Sequence, residues 1–308
     1  MRIREFSILL LLMLGANSIM AQKGLLDILE EEQEEGPQYA MATFKATRIT
    51  FGHSIETRKK GILEVSAVNR FWNTPSLTSQ SFGADKLNTR IALEYGISDR
   101  LSTGFGGSTW DGLFDGYLKY RLVRQRNDKE GSPVSVTLFQ NGSYYSEGLS
   151  VPNVDDNFSS RLSTTTQLLI ARKFNSSFSL QMAPTLVHKG FRFSGEDPTN
   201  HLALGFGGRY KLGGHVSFVS EYYAVFNPVE SYDTYGPFSI GVNWELGDVM
   251  LQFMLTNASH IVEDAYIAGT RYNFNFKNPN LNFGFNATYV IHFNRKLKGL
   301  EQKRKSQD

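Results

Sequence analysis

From residue 60 onward, apolar side chains recur at every second position rather than every third or fourth, the period of a strand with one oily face and one polar face. Residues 281–293 show it best: Leu281, Phe283, Phe285, Ala287, Tyr289, Ile291 and Phe293 share one face, and Asn282, Gly284, Asn286, Thr288, Val290 and His292 the other. In residues 236–246 the split is Phe238, Ile240, Val242, Trp244 and Leu246 against Ser239, Gly241, Asn243 and Glu245. The pattern predicts strands near residues 61–71, 88–98, 101–110, 113–125, 133–145, 158–174, 177–188, 201–212, 215–226, 236–246, 248–257 and 281–293.

The connections fall into two kinds. Ser98-Asp99-Arg100, Asn175-Ser176, Gly213-Gly214 and Gly247-Asp248 suit tight hairpins between right-twisted strands. Longer polar stretches occupy residues 73–87, 146–156, 189–200, 227–235 and 257–280. Transmembrane barrels put short turns in the periplasm and long loops outside. Under that assignment the twelve segments alternate up and down, with both ends of the barrel in the periplasm. A thirteenth wall strand at residues 39–51 would break the alternation, so that stretch is expected to be a lumenal or periplasmic β segment.

The amino terminus is read as an address. Arg2 and Arg4 precede the apolar run from Phe6 to Leu14, and mostly small residues lead to Ala21, the layout of a secretory signal with cleavage before Gln22. A run of nine residues, eight of them apolar, is too short to cross a bilayer, which takes about 20. The expected organisation is a signal peptide at 1–21, a periplasmic or lumenal leader at 22–59, the barrel at 60–293 and a basic periplasmic tail at 294–308. The leader carries Glu30, Glu31, Glu32, Glu34 and Glu35, and the tail Arg295, Lys296, Lys298, Lys303, Arg304 and Lys305. That tail is a candidate contact for an acidic periplasmic partner.

Composition narrows the reading further. The 308 residues include no cysteine, so neither disulfides nor thiolate metal sites are available. With 32 Lys+Arg against 30 Asp+Glu there is no electrostatic case for nucleic acid. Mean hydropathy of −0.30 excludes a helical membrane protein, while 23 Phe, 14 Tyr, 3 Trp and 28 Gly suit an all-β chain. Alternation alone would also suit a soluble sandwich or a lipocalin-like barrel. Charges on the polar faces and aromatics at the strand ends, Trp72, Trp110 and Tyr145 among them, favour a membrane barrel with lipids as its surroundings.

The segments FKATRITFGHSIETRKKGILE (44–64), LEYGISDRL (93–101), DGYLKYRLVRQ (115–125), PVSVTLF (133–139) and LNFGFNATYVIHF (281–293) together resemble an uncharacterised outer-membrane β-barrel family of Bacteroidota. The resemblance covers most of the chain after residue 42 and implies location and architecture. Asn69 departs from it, standing where His-Arg-Phe is more usual.

Candidate chemistry is sparse, and no cofactor, metal or catalytic residue is assigned. Two GFGG stretches, at 104–107 and 205–208, lack the strand-to-helix context of a phosphate loop and read as relief of crowding in a wall. His188 and His201 flank one outer loop and could meet around a metal, and Asp155, Asp156 and Asn157 form a weak calcium candidate. A membrane hydrolase, with His292 and Ser239 as candidates in principle, is a minor alternative.

The lumen carries more weight. Arg90, Glu94, Lys119, Arg121, Arg209, Lys211, Glu221 and Glu245 lie on polar faces and are expected to line it. Paired, such charges would fill the interior, with Glu64, Glu94, Asp115 and Glu245 neutralising the cations; unpaired, they would line a narrow path favouring anions. The sequence thus predicts a twelve-stranded antiparallel outer-membrane barrel acting as a passive channel or facilitator for small polar solutes. The alternative is a closed barrel that docks another envelope component.

Overall fold

The computed structural model describes residues 38–72, 85–110, 112–128, 131–149, 151, 154–274 and 281–293. The proposed signal peptide, the acidic stretch of the leader and the basic tail lie outside them.

Twelve strands close into one antiparallel barrel in which each strand pairs with its neighbours in sequence and the last pairs with the first. They are β1 (Ile62–Trp72), β2 (Lys86–Gly96), β3 (Leu101–Ser108), β4 (Leu113–Val123), β5 (Ser135–Tyr145), β6 (Leu162–Lys173), β7 (Phe178–His188), β8 (Asn200–Lys211), β9 (Val216–Val225), β10 (Phe238–Leu246), β11 (Val249–Thr256) and β12 (Asn282–His292). Ile62 pairs with His292, so the first and last strands meet at the end that carries the short turns.

The faces of the wall are inverted relative to a soluble protein. Ile91, Leu93, Phe105, Phe114, Leu118, Leu186 and Phe206 are exposed, whereas Asn88, Arg90, Lys119, Gln167, Glu221 and Gln252 are buried. Exposed apolar bands around a polar interior require a hydrocarbon solvent.

Two segments fill the bore. From the short-turn end, the chain bridges Tyr39 to Arg126, rises inside the barrel and folds back through an isolated bridge between Arg48 and His53. It then descends past the Asp99 turn, where the Thr57 hydroxyl donates to the Asp99 carbonyl, and enters β1. Residues 39–51 therefore lie inside the wall and do not join it. From the other end, the connection after β11 folds inward as a short helix, with Glu263, Asp264, Ala265, Tyr266, Ile267 and Ala268 all buried.

Two expectations need correction. Residues 257–270 are not an outer loop: they reach into the bore, because a polar interior accepts Asn257, Glu263, Asp264 and Thr270 as readily as a core accepts leucine. Nor does the sixth strand start at 158. Phe158–Arg161 is a single helical turn (α1; Glu263–Gly269 is α2), capped by the Asn157 side chain on Ser160 N and reciprocally by the Ser160 hydroxyl on Asn157 N.

Candidate functional site

The two segments meet at mid-barrel. Phe51, at the tip of the lower one, packs edge-on against Tyr266 of α2 at 4.9 Å, and Tyr223 of β9 closes the triangle at 5.9 and 5.7 Å. Arg48 donates to Glu263 at 3.2 Å and to the Phe51 carbonyl. His53 is held between Tyr117 and Phe139 at 4.5 and 4.4 Å. With Phe44, Ile49, Ile55 and Leu169 these rings form an apolar centre inside a polar tube.

Close approach of these side chains explains the two GFGG stretches. A Cβ at Gly104 would lie 2.2 Å from the Tyr117 ring, at Gly106 2.6 Å from the Arg90 guanidinium, at Gly205 2.5 Å from the Tyr223 ring and at Gly207 2.4 Å from Ile49 of the plug. Inward glycines make room for the filling, while Phe105 and Phe206 between them face outward and are exposed.

Of the eight polar residues expected to line the lumen, Lys119, Arg121, Glu221 and Glu245 hold this filling in place. Glu221 accepts from the amides of Thr50, Phe51 and Gly52 and from the Thr50 hydroxyl. Lys119 donates to the Glu56 and Thr47 carbonyls at 2.6 and 3.3 Å, and Arg121 pairs with Glu56 at 3.0 Å. Glu94 accepts from Ser102 and from the Tyr117 hydroxyl. Arg90 forms a buried two-point pair with Asp115 at 2.7 and 2.6 Å. Glu64 takes Arg58, and the half-exposed Glu245 takes Lys45 at 3.0 Å. Glu64, Glu221 and Glu245 therefore pair with plug residues, whereas Asp115 neutralises the wall cation Arg90 and Glu94 binds wall hydroxyls.

Arg209 and Lys211 differ. Arg209 donates to the Ser217 hydroxyl at 3.1 Å. It stands opposite Ser179, which in turn stands opposite Lys173, and Lys211 is the next inward position on β8. Three cations thus gather on the inner face at the short-turn end. The buried Ser179 Oγ between these cations, and Ser163 Oγ, Thr165 Oγ1 and Gln167 Oε1 further towards the outer end, have no hydrogen-bond partner among the described residues. All four face inward on β6 and β7. The polar line they make is interrupted by Leu169, Ala171 and Ala183. The inward period of two marks these residues in the sequence; their lack of partners needs the third dimension.

At the outer mouth lies a vestibule of about 500 Å³. Trp72, Lys86, Trp110, Tyr145, Lys189 and Arg271 are among its walls. Its floor is fixed by Lys189, which donates to Asp264 at 2.9 Å and to the Tyr145 hydroxyl at 2.8 Å, while Ser143 also donates to Asp264.

The weaker candidates separate. His188 faces outward and contacts the Asn200 side chain, whereas His201 is buried and contacts the Asn227 carbonyl; they lie on opposite faces of the wall and cannot share a metal. Asp156 is engaged by Arg161 and Asn157 by its cap. Ser239 pairs with Thr256 at the outer end of β10, whereas His292 lies beside Asp248 in the turn at the other end. Among the described residues no group of three or more His, Asp or Glu side chains could hold a metal.

Residues 44–291 match the family described as membrane bound beta barrel domain (DUF5777). No protein with a curated description matches the chain in sequence. Similar solved structures include the NanC porin, at 11% identity and a TM-score of 0.47 over 75% of this chain and 98% of that one. The KdgM porin gives 9% and 0.46 over 74% and 99%, and the COG4313 outer membrane channel from Pseudomonas putida F1 gives 14% and 0.44 over 77% and 98%.

Proposed function

The chain belongs to the membrane bound beta barrel domain family (DUF5777), and from that premise we propose that it is a self-plugged, passive channel of a bacterial outer membrane for small polar solutes, with anions favoured. The source is a bacterium of the Bacteroidota type, and the chain reaches the membrane through a cleaved signal peptide. The hydrolase alternative loses its Ser–His pair, because Ser239 and His292 lie at opposite ends of the barrel.

The observation that carries this reading is the line of unpartnered polar atoms along the inner face of β6 and β7. A buried hydroxyl or amide without a partner costs roughly 1–3 kcal/mol unless water or a solute binds it. Such a line replaces part of a solute's hydration shell as it moves. Leu169, Ala171 and Ala183 form the constriction, and Lys173, Arg209 and Lys211 give the inner exit a positive potential.

Planar-bilayer recording of the full mature chain tests this. Leu169→Ser should raise unitary conductance several-fold, the pair Thr165→Val and Gln167→Leu should lower it, and the reversal potential in a salt gradient should favour anions. Folded protein with no conductance in either the wild type or Leu169→Ser would overturn it. A second reading is favoured by the filled bore itself: a closed barrel whose outer face, or whose leader and tail, dock another envelope component. It predicts that result, together with a partner that is lost when residues 294–308 are deleted.

A further inference from the structure

We propose that the outer vestibule is a binding site for a small carboxylate carried on a ring, either a sugar acid or an aromatic acid. This deepens the channel reading and rests on it for the ligand's onward passage, although the binding itself does not require the bore to open.

The walls supply two kinds of contact. Trp72 and Trp110 meet edge to face at 5.1 Å, Tyr145 and Phe191 do so at 5.6 Å, and all four rings wall the cavity. Rings of sugars and arenes stack on such surfaces. Cations are fixed beside them: Lys86 lies 5.2 Å over the Trp110 ring, Arg271 4.3 Å over Tyr232, and Lys189 4.8 Å over both Tyr145 and Phe191.

Charge is unbalanced. Lys189 is neutralised by Asp264, but no carboxylate of the described residues pairs with Lys86 or Arg271. Glu147 is the one acidic residue among the described walls. A cation parked over a ring gains only about 0.5–1 kcal/mol at an exposed site, so it exchanges readily for a carboxylate, with which Arg makes a two-point contact. A cavity of about 500 Å³ has room for a single ring with its substituents.

Two of the protein's three tryptophans wall this site, which makes the site observable. Trp244, exposed on β10, supplies a background that Trp244→Phe removes. Detergent-solubilised mature protein carrying Trp244→Phe is titrated with glucuronate, benzoate, glucose and acetate while tryptophan emission is followed. Saturable quenching is expected with glucuronate or benzoate, and which of the two acts distinguishes sugar acid from aromatic acid. Glucose, lacking the charge, and acetate, lacking the ring, should be at least tenfold weaker. Lys86→Gln with Arg271→Gln should weaken binding tenfold or more without altering the folded gel mobility.

Absence of saturable quenching by either ring acid overturns the proposal, as does equal quenching by glucose or full binding in the double variant. Binding without conductance leaves the vestibule standing and removes the channel. Conductance without binding does the reverse.

Discussion

Glu221, on the wall, and Thr50, at the tip of the plug, are joined twice: Glu221 Oε2 accepts the Thr50 backbone N–H at 3.0 Å and its hydroxyl at 2.6 Å. The same oxygen takes the next two amides at 3.1 Å each, so one wall carboxylate caps the turn that closes the bore. Glu221→Ala leaves three buried N–H groups without an acceptor, a loss on the order of 3 kcal/mol or more. The expected outcome is a barrel that remains folded, a lower melting temperature and an increased open fraction in bilayer recordings. Glu221→Gln, which keeps an acceptor, should fall between the two. Unchanged conductance and melting in Glu221→Ala would show that the turn is held by other contacts.

Room for the plug is set by glycine, and glycines on the two faces of the wall should respond differently. Gly104→Ala drives a methyl into the Tyr117 ring, whose hydroxyl is tied to Glu94, and should cost ~1–3 kcal/mol. Gly142, between the inward Asn141 and Ser143, has nothing within 4 Å of a built Cβ, so Gly142→Ala should be neutral or slightly stabilising. Tyr117→Leu in the Gly104→Ala background should recover part of the loss. Denaturation in detergent, read by loss of the fast-migrating folded band, measures all three. Equal effects at the two glycines would contradict the packing described.

The wall was legible in the sequence because a strand's period of two survives whatever surrounds it. All twelve strands fall close to the expected segments, and Arg90, Arg209 and Glu221 are buried at alternating positions of their strands. The filling was not legible, for two reasons. Residues 43–56 pack side chains in every direction inside a tube, so Phe44, Ile49, Phe51 and Ile55 follow no fixed period. Residues 257–270 carry Glu263 and Asp264, which read as a solvated loop, yet Ile261, Val262, Ala265, Tyr266, Ile267 and Ala268 among them form an apolar set that could have marked a buried helix. Pairings such as Lys189 with Asp264, 75 positions apart, belong to the closed topology alone.

That pair anchors α2 to the vestibule floor. Both groups are buried, and burial opposes the ionised Asp264 carboxyl, but Lys189 together with Ser143 and Tyr145 outweighs it and holds the carboxyl below the usual aspartate range. Asp264→Asn leaves the Lys189 ammonium buried with its counter-charge gone, a loss of about 3–5 kcal/mol for a broken buried pair. The double change Asp264→Leu with Lys189→Met should restore most of it. Protection of α2 from proteolysis, compared across the three proteins, reads this out. A double variant as unstable as Asp264→Asn would mean that the pair itself, rather than the relief of an uncompensated charge, stabilises the segment.

His260 makes the outer segment sensitive to acid. Burial, and then Lys189 and Arg271 nearby, push its imidazole down to about 4, only partly opposed by Asp264. The folded protein therefore holds the ring neutral at neutral pH, whereas the unfolded chain protonates it near 6.5. Because the folded value lies below the unfolded one, the unfolded state binds the extra proton first as pH falls. The stability from the neutral ring is complete above about pH 6.5 and is lost progressively between there and about pH 4. Below that range the charged ring shares the mouth with Lys189 and Arg271, and the repulsion favours withdrawal of residues 257–270 from the bore. The expected result is a melting temperature that drops between pH 6.5 and 4 and an open fraction that rises over the same interval. His260→Gln, neutral throughout, should flatten both curves relative to the wild type. If the two proteins keep the same pH profile, acid acts on the wall carboxylates and not through this ring.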